Sequence, residues 1–326
     1  MSKEFGIYEL ELWRRIAVVY SERKEYKELY TTGLQFADYI KQRKQMSTII
    51  EYAPEIMEGF CTELLNAQQF NLVAKLVKRF DGIAYDGYIG TVCSRAYYYL
   101  INNQLHYGST ENVIAHLQGI LPHLRKYPKD DDIIGHFVDA TDEIREKINQ
   151  NADTALLNKL VPIVEQAYDC NKNEKIAEVL AISEASRFFE NIVDNNRKLV
   201  RKSQKRVNDL FRAYEDNGDV ILSYASVTAF VYLEEFKQIS DKELDRFKSW
   251  KDIYPERAGL LEAYGKILLT KWFNLTDAFD EDNAKPVFRE VEEIARVLSE
   301  QYETPELLLR TLQIKGMGCY LDFYDL

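Results

Sequence analysis

The sequence predicts an all-α protein built as a solenoid of about seven helical hairpins, followed by one C-terminal capping helix. Three observations carry this prediction. Apolar residues recur with helical spacing along nearly the whole chain, a short apolar motif returns at a nearly constant interval, and residues that favour turns are scarce. The 326 residues include only 14 glycines and 7 prolines, which is about half the usual share of these two residue types.

The apolar periodicity is helical rather than strand-like. In the first segment, Leu10, Trp13, Ala17 and Tyr20 are separated by three or four residues, which places them on one face of a helix. The same spacing returns further along the chain, and no segment alternates with a period of two over the length of a strand. The pattern therefore predicts helices alone.

A recurring motif divides the chain into repeats. It consists of an apolar residue, two spacers, a large apolar residue and, in most copies, a small residue, as in Leu261, Tyr264 and Gly265. The large residues of successive copies lie 39 to 48 residues apart, and a period of this size is typical of stacked helical hairpins. Eight residues take the large position: Trp13, Tyr52, Val92, Phe137, Leu180, Tyr224, Tyr264 and Leu312.

A second helix is predicted after each motif helix. A single hairpin has too little area to bury its own apolar face, so each hairpin must stack on the next one. We therefore expect one continuous helical-repeat domain over residues 1–326. The predicted second helices span 23–43, 62–80, 110–126, 153–168, 195–215, 240–252 and 285–301, and the capping helix spans 305–322.

One copy of the motif resembles a known repeat family. The segment Leu261-x-x-Tyr264-Gly265-x-x-Leu268 is similar to the first-helix signature of tetratricopeptide repeats, Trp-x-x-Leu-Gly-x-x-Tyr. The resemblance implies a right-handed solenoid whose concave face binds a protein or an extended peptide, as bacterial peptide-sensing regulators of this kind do. The interval between copies is longer than the tetratricopeptide period of about 34 residues, so HEAT-like and other helical-hairpin arrays stay open.

The tetratricopeptide analogy also selects candidate partner-binding residues. In that family, side chains at fixed offsets from the first apolar position of each motif line the concave groove. Here most of the selected side chains are acidic, and such a groove suits an extended peptide that carries positive charge or amide groups. The candidates are Tyr97, Asp132, Asp139, Asp142, Glu262 and Lys266.

A second candidate surface is cationic. Six basic residues fall within residues 197–206, and spacings of four place them in two adjacent rows of one helix. Such a surface can contact phosphate groups or an acidic protein, or it can be a solvated helix face that acidic neighbours neutralise. We call these six residues the basic stripe: Arg197, Lys198, Arg201, Lys202, Lys205 and Arg206.

Sequence motifs for catalysis and metal binding are missing. The four histidines, His106, His116, His123 and His136, have no zinc-ligand spacing, and the four cysteines form no Cys-x-x-Cys pair. No Walker, dinucleotide-binding or nucleophile-elbow motif occurs. The sequence therefore predicts a non-enzymatic protein without a metal or another cofactor. An α-helical enzyme whose active site follows no known motif stays open as an alternative.

Charge and composition predict where in the cell the protein works and which partners it avoids. The net charge is −11, which opposes general binding to phosphate backbones and anionic membranes. The acidic opening segment, the cysteine usage and the lack of about 18 consecutive apolar residues favour a cytoplasmic location without membrane insertion. We expect a protein- or peptide-binding scaffold that uses its concave face, and alternatively a nucleic-acid-associated protein that uses the basic stripe.

Overall fold

The structure is a computed structural model that describes residues 3–43, 47–83, 87–107, 110 and 112–324. Within these residues it contains fifteen α-helices and no strand, so the predicted all-α class is confirmed. The helices are α1 (Lys3–Glu22), α2 (Tyr26–Arg43), α3 (Ser47–Asn66), α4 (Phe70–Asp81), α5 (Gly87–His106), α6 (Val113–Lys126), α7 (Asp131–Asn151), α8 (Thr154–Cys170), α9 (Glu174–Val193), α10 (Arg197–Ala213), α11 (Gly218–Glu234), α12 (Asp241–Ile253), α13 (Ala258–Asp277), α14 (Glu281–Tyr302) and α15 (Glu306–Tyr324).

The chain divides into two compact units, Met1–Leu180 and Ala181–Leu326, and the boundary falls inside α9. In the first unit, α1 packs against α3, α3 against α5 and α5 against α7, while α2 packs against α4 and α6 against α8. The odd-numbered helices α1, α3, α5 and α7 therefore form one continuous row, and the even-numbered helices pack against one another in two pairs. Phe36, Phe60, Phe80 and Phe137 are completely buried in its core.

The connection after each odd-numbered helix uses the same backbone reversal. From α1 to α13, the described part of each link to the following even-numbered helix contains one non-glycine residue with a left-handed backbone, where φ lies between 48° and 67°. Successive residues of this set are 40 to 44 residues apart, which agrees with the period of the sequence motif. They are Lys24, Gln68, Asn112, Ala152, Asn195, Phe236 and Phe279.

All eight large motif residues lie in odd-numbered helices. Phe137 and Leu180 are completely buried, and Tyr264 is nearly so. The last copy departs from the expected orientation, because α15 buries Leu307 and Thr311 and leaves Leu312 54 % exposed. The motif therefore identifies the correct helices, but it does not assign the buried face of the last one.

Gly265 provides the close helix approach that its place in the motif predicts. In the second unit, α13 packs against both α14 and α15. A Cβ atom at Gly265 would lie 2.5 Å from Leu307 Cδ2 and 3.0 Å from Ile294 Cγ2. Both distances are shorter than ordinary van der Waals contact, so a larger residue at this position would have to displace the Leu307 and Ile294 side chains.

Within the described ranges, no helix combines the length and the apolar composition that crossing a lipid bilayer requires.

Candidate functional site

A cleft of about 620 Å³ lies in the first unit, where α3, α5 and α7 pack side by side. Its wall consists of side chains from all three helices and from the residue that precedes α7. We call this site the acidic cleft. It is lined by Glu51, Pro54, Glu55, Glu58, Tyr88, Thr91, Val92, Arg95, Asp130 and Asp132.

The charge of this cleft is strongly negative. Its lining contributes five carboxylates and one guanidinium. That guanidinium is occupied within the protein, because Arg95 Nη1 lies 2.7 Å from Glu58 Oε1. A concave surface lined by one sign of charge concentrates the electrostatic field and attracts ligands of opposite charge. The charge of the cleft therefore favours cationic groups over anionic ones.

The start of α7 fixes the acidic groups on one side of the cleft. Asp130 is the N-cap residue, and its Oδ1 accepts a hydrogen bond from the backbone N–H of Ile133 at 3.1 Å. Its second oxygen accepts a hydrogen bond from Thr91 Oγ1 of α5 at 3.4 Å. Asp132 follows in the first turn, where the helix dipole stabilises a negative charge. Local helix-start chemistry thus positions both carboxylates.

Below the cleft, Ser94 and His136 form a hydrogen-bonded pair that has the wrong polarity for nucleophilic catalysis. Arg95 Nε donates to His136 Nε2 at 3.4 Å, so the imidazole proton belongs on Nδ1, which lies 2.9 Å from Ser94 Oγ. The buried Ser94 hydroxyl donates in turn to the Thr91 carbonyl at 2.9 Å. Burial and then the charge of Arg95 lower the pKa of His136, which favours the neutral ring. A nucleophilic serine would have to donate to the imidazole instead.

Tyr88 adds an aromatic surface to the cleft. It is 71 % exposed, and it is the aromatic residue among the side chains that line the cleft. An aromatic ring beside carboxylates favours a lysine or arginine side chain, because the ring face attracts a cation. The neighbouring Glu55 carboxylate lies 3.6 Å from Arg14 of α1, but both side chains are more than half exposed, so this ion pair is weak.

The six predicted partner-binding residues take different positions. Asp132 lines the acidic cleft. Asp139 is exposed further along α7, and the half-buried Asp142 carboxylate lies 2.6 Å from Arg145. Tyr97 is a core residue: it is 3 % exposed, and its hydroxyl donates a hydrogen bond to Asp81.

Glu262 and Lys266 belong to the second unit. They form an ion pair on α13 with 2.7 Å between Lys266 Nζ and Glu262 Oε1, and Glu306 of α15 lies 3.7 Å from the same amine. The lysine residue is only 9 % exposed. This amine therefore links α13 to α15 and is not presented to solvent as a free cation.

The basic stripe lies on α10 in the second unit. Five of its six residues are exposed and Arg206 is half-buried, while the opposite face of α10 buries Val207, Leu210 and Phe211. Arg197 and Arg201 also line a cleft of about 440 Å³ whose floor includes Phe188 and Phe230 and whose rim includes Glu234 and Glu235. The predicted arrangement of cations along one helix is confirmed.

Most residues of the acidic cleft are not among the sequence candidates. Glu51, Glu55 and Glu58 occupy positions separated by four and three residues in one helix, and this spacing places them on a common face. That spacing could have identified them. Asp81, Cys93 and His123, which meet elsewhere in the unit, lie too far apart in sequence for any motif to connect them.

Comparison with protein families, with curated proteins and with solved structures finds no significant match for the chain. The structure is compatible with a helical-repeat fold, and the tetratricopeptide likeness rests on the sequence motif alone.

Proposed function

We propose that this chain is a non-enzymatic scaffold that binds an extended, positively charged segment of a partner protein in the acidic cleft. The observation that carries the proposal is the cleft lining, in which five carboxylates and one guanidinium surround about 620 Å³. A volume of this size accommodates several side chains of a bound ligand. Carboxylates at the wall and Tyr88 at the rim are the groups that recognise lysine and arginine.

The proposal includes the repeat architecture of the chain. We interpret the hairpins as a right-handed, tetratricopeptide-like solenoid in which the first helix of each repeat contributes to a ligand-binding face. The regular spacing of the left-handed residues supports a repeat of 40 to 44 residues. The acidic cleft supports the choice of face, because α3, α5 and α7 are the first helices of three successive repeats.

Titration of fluorescent peptides by anisotropy tests this function. A lysine- and arginine-rich peptide should bind the full chain at about 0.1 M salt, where charges farther apart than about 10 Å are screened, and neutral or acidic peptides of equal length should not bind. The combined substitution Glu51→Gln, Glu55→Gln and Asp132→Asn should weaken binding about tenfold, because three lost charge pairs of about 0.5 kcal/mol each sum to about 1.5 kcal/mol.

The matched control removes three exposed carboxylates of the second unit, by Asp277→Asn, Asp282→Asn and Glu293→Gln. Both triple variants change the net charge by the same amount, so a general electrostatic attraction would weaken equally in both. Equal weakening, or no binding of the cationic peptide to the unmodified chain, would reject the acidic cleft as the binding site.

A second candidate function is nucleic-acid association through the basic stripe. The observation that favours it is the exposure of five cations along one helix. Binding to RNA or DNA should then fall steeply with salt and should be abolished by Arg201→Glu, Lys202→Glu and Lys205→Glu. If neither nucleic acid binds at low salt, this function is rejected.

A further inference from the structure

Asp81, Cys93 and His123 come together inside the first unit. Asp81 is the last residue of α4, Cys93 lies in α5 and His123 lies in α6. One donor atom of each residue, namely a carboxylate oxygen, the thiol sulfur and an imidazole nitrogen, lies within 4.8 Å of the other two. Three successive helices therefore present three different types of metal ligand to one point.

This group is buried but connected to solvent. Cys93 and His123 are 1 % and 4 % exposed, whereas the Asp81 side chain keeps 28 % of its surface accessible. An ion can therefore reach the donors past Asp81, and an entry path is one requirement of a working metal site. The group is separate from the acidic cleft, because none of its three residues lines that cleft.

Hydrogen bonds already orient the carboxylate. His123 Nε2 lies 2.8 Å from Asp81 Oδ1, and the Tyr97 hydroxyl donates to Asp81 Oδ2. Tyr97 thus holds one oxygen while the other faces the imidazole. Its ring fits only because α6 has a glycine beside it, since a Cβ at Gly119 would lie 2.6 Å from the ring. Hydrogen bonds of this kind orient metal-binding carboxylates in known sites.

We propose that Asp81, Cys93 and His123 bind a divalent metal ion of the zinc class, with Tyr97 as the supporting residue behind Asp81. Thiolate, imidazole and carboxylate are the three donor types that zinc sites use, and three protein ligands leave a fourth position for water or another ligand. Donor atoms around tetrahedral zinc lie roughly 3.3–3.8 Å apart. Small side-chain shifts therefore convert the present arrangement into a coordination sphere.

The proton balance of binding is simple. The neutral form of His123 carries one ring proton; with that proton on Nδ1, the lone pair of Nε2 binds the ion, and the ion takes the place of the present hydrogen bond between Nε2 and Asp81 Oδ1. This change of tautomer neither takes up nor releases a proton. The Cys93 thiol loses its proton to solvent as the sulfur becomes a ligand. No electron transfer is involved.

Cobalt(II) titration of the full chain tests the site, after removal of metals and with a reductant that contains no thiol. One Co²⁺ should bind per chain, with the near-ultraviolet absorption of a sulfur–cobalt bond, and Zn²⁺ should displace it. Saturating Zn²⁺ should also raise the melting temperature by roughly 5 °C or more, because a ligand that binds only the folded state stabilises it.

Variants assign the ligands. Cys93→Ser should lose the sulfur–cobalt absorption, while Cys170→Ser, which alters an exposed cysteine, should keep it. His123→Gln should abolish tight binding, and Tyr97→Phe should weaken it about tenfold, which is the effect expected for a supporting residue. Circular dichroism establishes that each variant is folded.

Two results would overturn the proposal: no sulfur–cobalt absorption in the unmodified chain, or the same absorption in Cys93→Ser. If Cys93→Ser does not fold, the cobalt affinity of His123→Gln tests the site in its place. An affinity equal to that of the unmodified chain would exclude His123 as a ligand and so reject the site.

Discussion

The acidic cleft of the first unit and a buried ion pair of the second unit hold their charged groups in opposite ways. In the first unit, the carboxylates of the acidic cleft remain accessible, as the 66 % exposure of the Glu55 side chain illustrates. In the second unit, Arg187 and Glu184 form an ion pair of 2.7 Å whose side chains are 2 % and 0 % exposed, and Arg187 Nε also donates to Ser203 Oγ at 2.9 Å. Accessible charges can serve binding with little effect on stability, whereas buried charges are linked to folding.

The largest effect is expected when the buried ion pair is broken. Arg187→Ala removes a buried guanidinium from beside the buried Glu184 carboxylate, and breaking a buried ion pair in this way costs about 3–5 kcal/mol. Urea denaturation should report this loss as a lower midpoint. As a control, Arg187→Met combined with Glu184→Leu removes both charges and should unfold at a higher urea concentration than Arg187→Ala. If Arg187→Ala unfolds at the higher urea concentration of the two, its loss of stability does not come from breaking a charge pair.

Acid should destabilise the protein through a buried histidine of the first unit. Burial and then the charge of Lys78 lower the pKa of His116 from 6.5 to about 4. Between these two values the unfolded chain binds the proton that the folded chain excludes, so stability falls as the pH falls from 6.5 to 4. The expected loss is about 3 kcal/mol.

The comparison of the unmodified chain with His116→Gln isolates this contribution. The difference in their unfolding free energies should be constant above pH 6.5 and should change between pH 6.5 and 4. Parallel pH profiles of the two proteins over that range would show that His116 is not responsible.

A smaller loss is expected from overpacking in the second unit. Gly265→Leu forces a side chain against Leu307 and Ile294, which should cost about 1–3 kcal/mol. The matched change Gly59→Leu inserts the same side chain where no atom, apart from the adjacent residues and the backbone of its own helix, lies within 4 Å of the Cβ position. In thermal melts, Gly265→Leu should unfold at a lower temperature than Gly59→Leu. Equal melting temperatures would contradict the close approach of α13 to its neighbours.

The smallest effect on stability is expected in the acidic cleft. Glu51→Gln, Glu55→Gln and Asp132→Asn together should change the unfolding free energy by less than about 1 kcal/mol, because substitutions of accessible side chains are usually close to neutral. A loss as large as that of Arg187→Ala would show that these carboxylates stabilise the fold.

The sequence predicts the helices well because the apolar period is a local property. The last second helix, predicted over 285–301, corresponds to α14 at Glu281–Tyr302, and the basic stripe lies on α10 as expected. The helix predicted over 62–80 is shorter, because residues 62–66 complete α3 and α4 begins at Phe70.

Sites that depend on contacts between helices are harder to predict. The tetratricopeptide analogy selects Asp132, which lines the acidic cleft, but the cleft also needs α3 and α5 beside α7. Tyr97 is predicted to line the groove but lies in the core. Gly119 of α6 leaves room there for its ring, and the spacing of residues along one helix does not reveal this. Asp81, Cys93 and His123 become neighbours only through the packing of α4, α5 and α6.

Charge reversal in the acidic cleft tests most directly the claim that its accessible carboxylates serve binding. The variant with Glu51→Lys, Glu55→Lys and Asp132→Lys should remain folded, should lose affinity for the lysine- and arginine-rich peptide, and should gain affinity for an acidic peptide of equal length. If the folded variant binds both peptides as the unmodified chain does, the acidic cleft is not the binding surface.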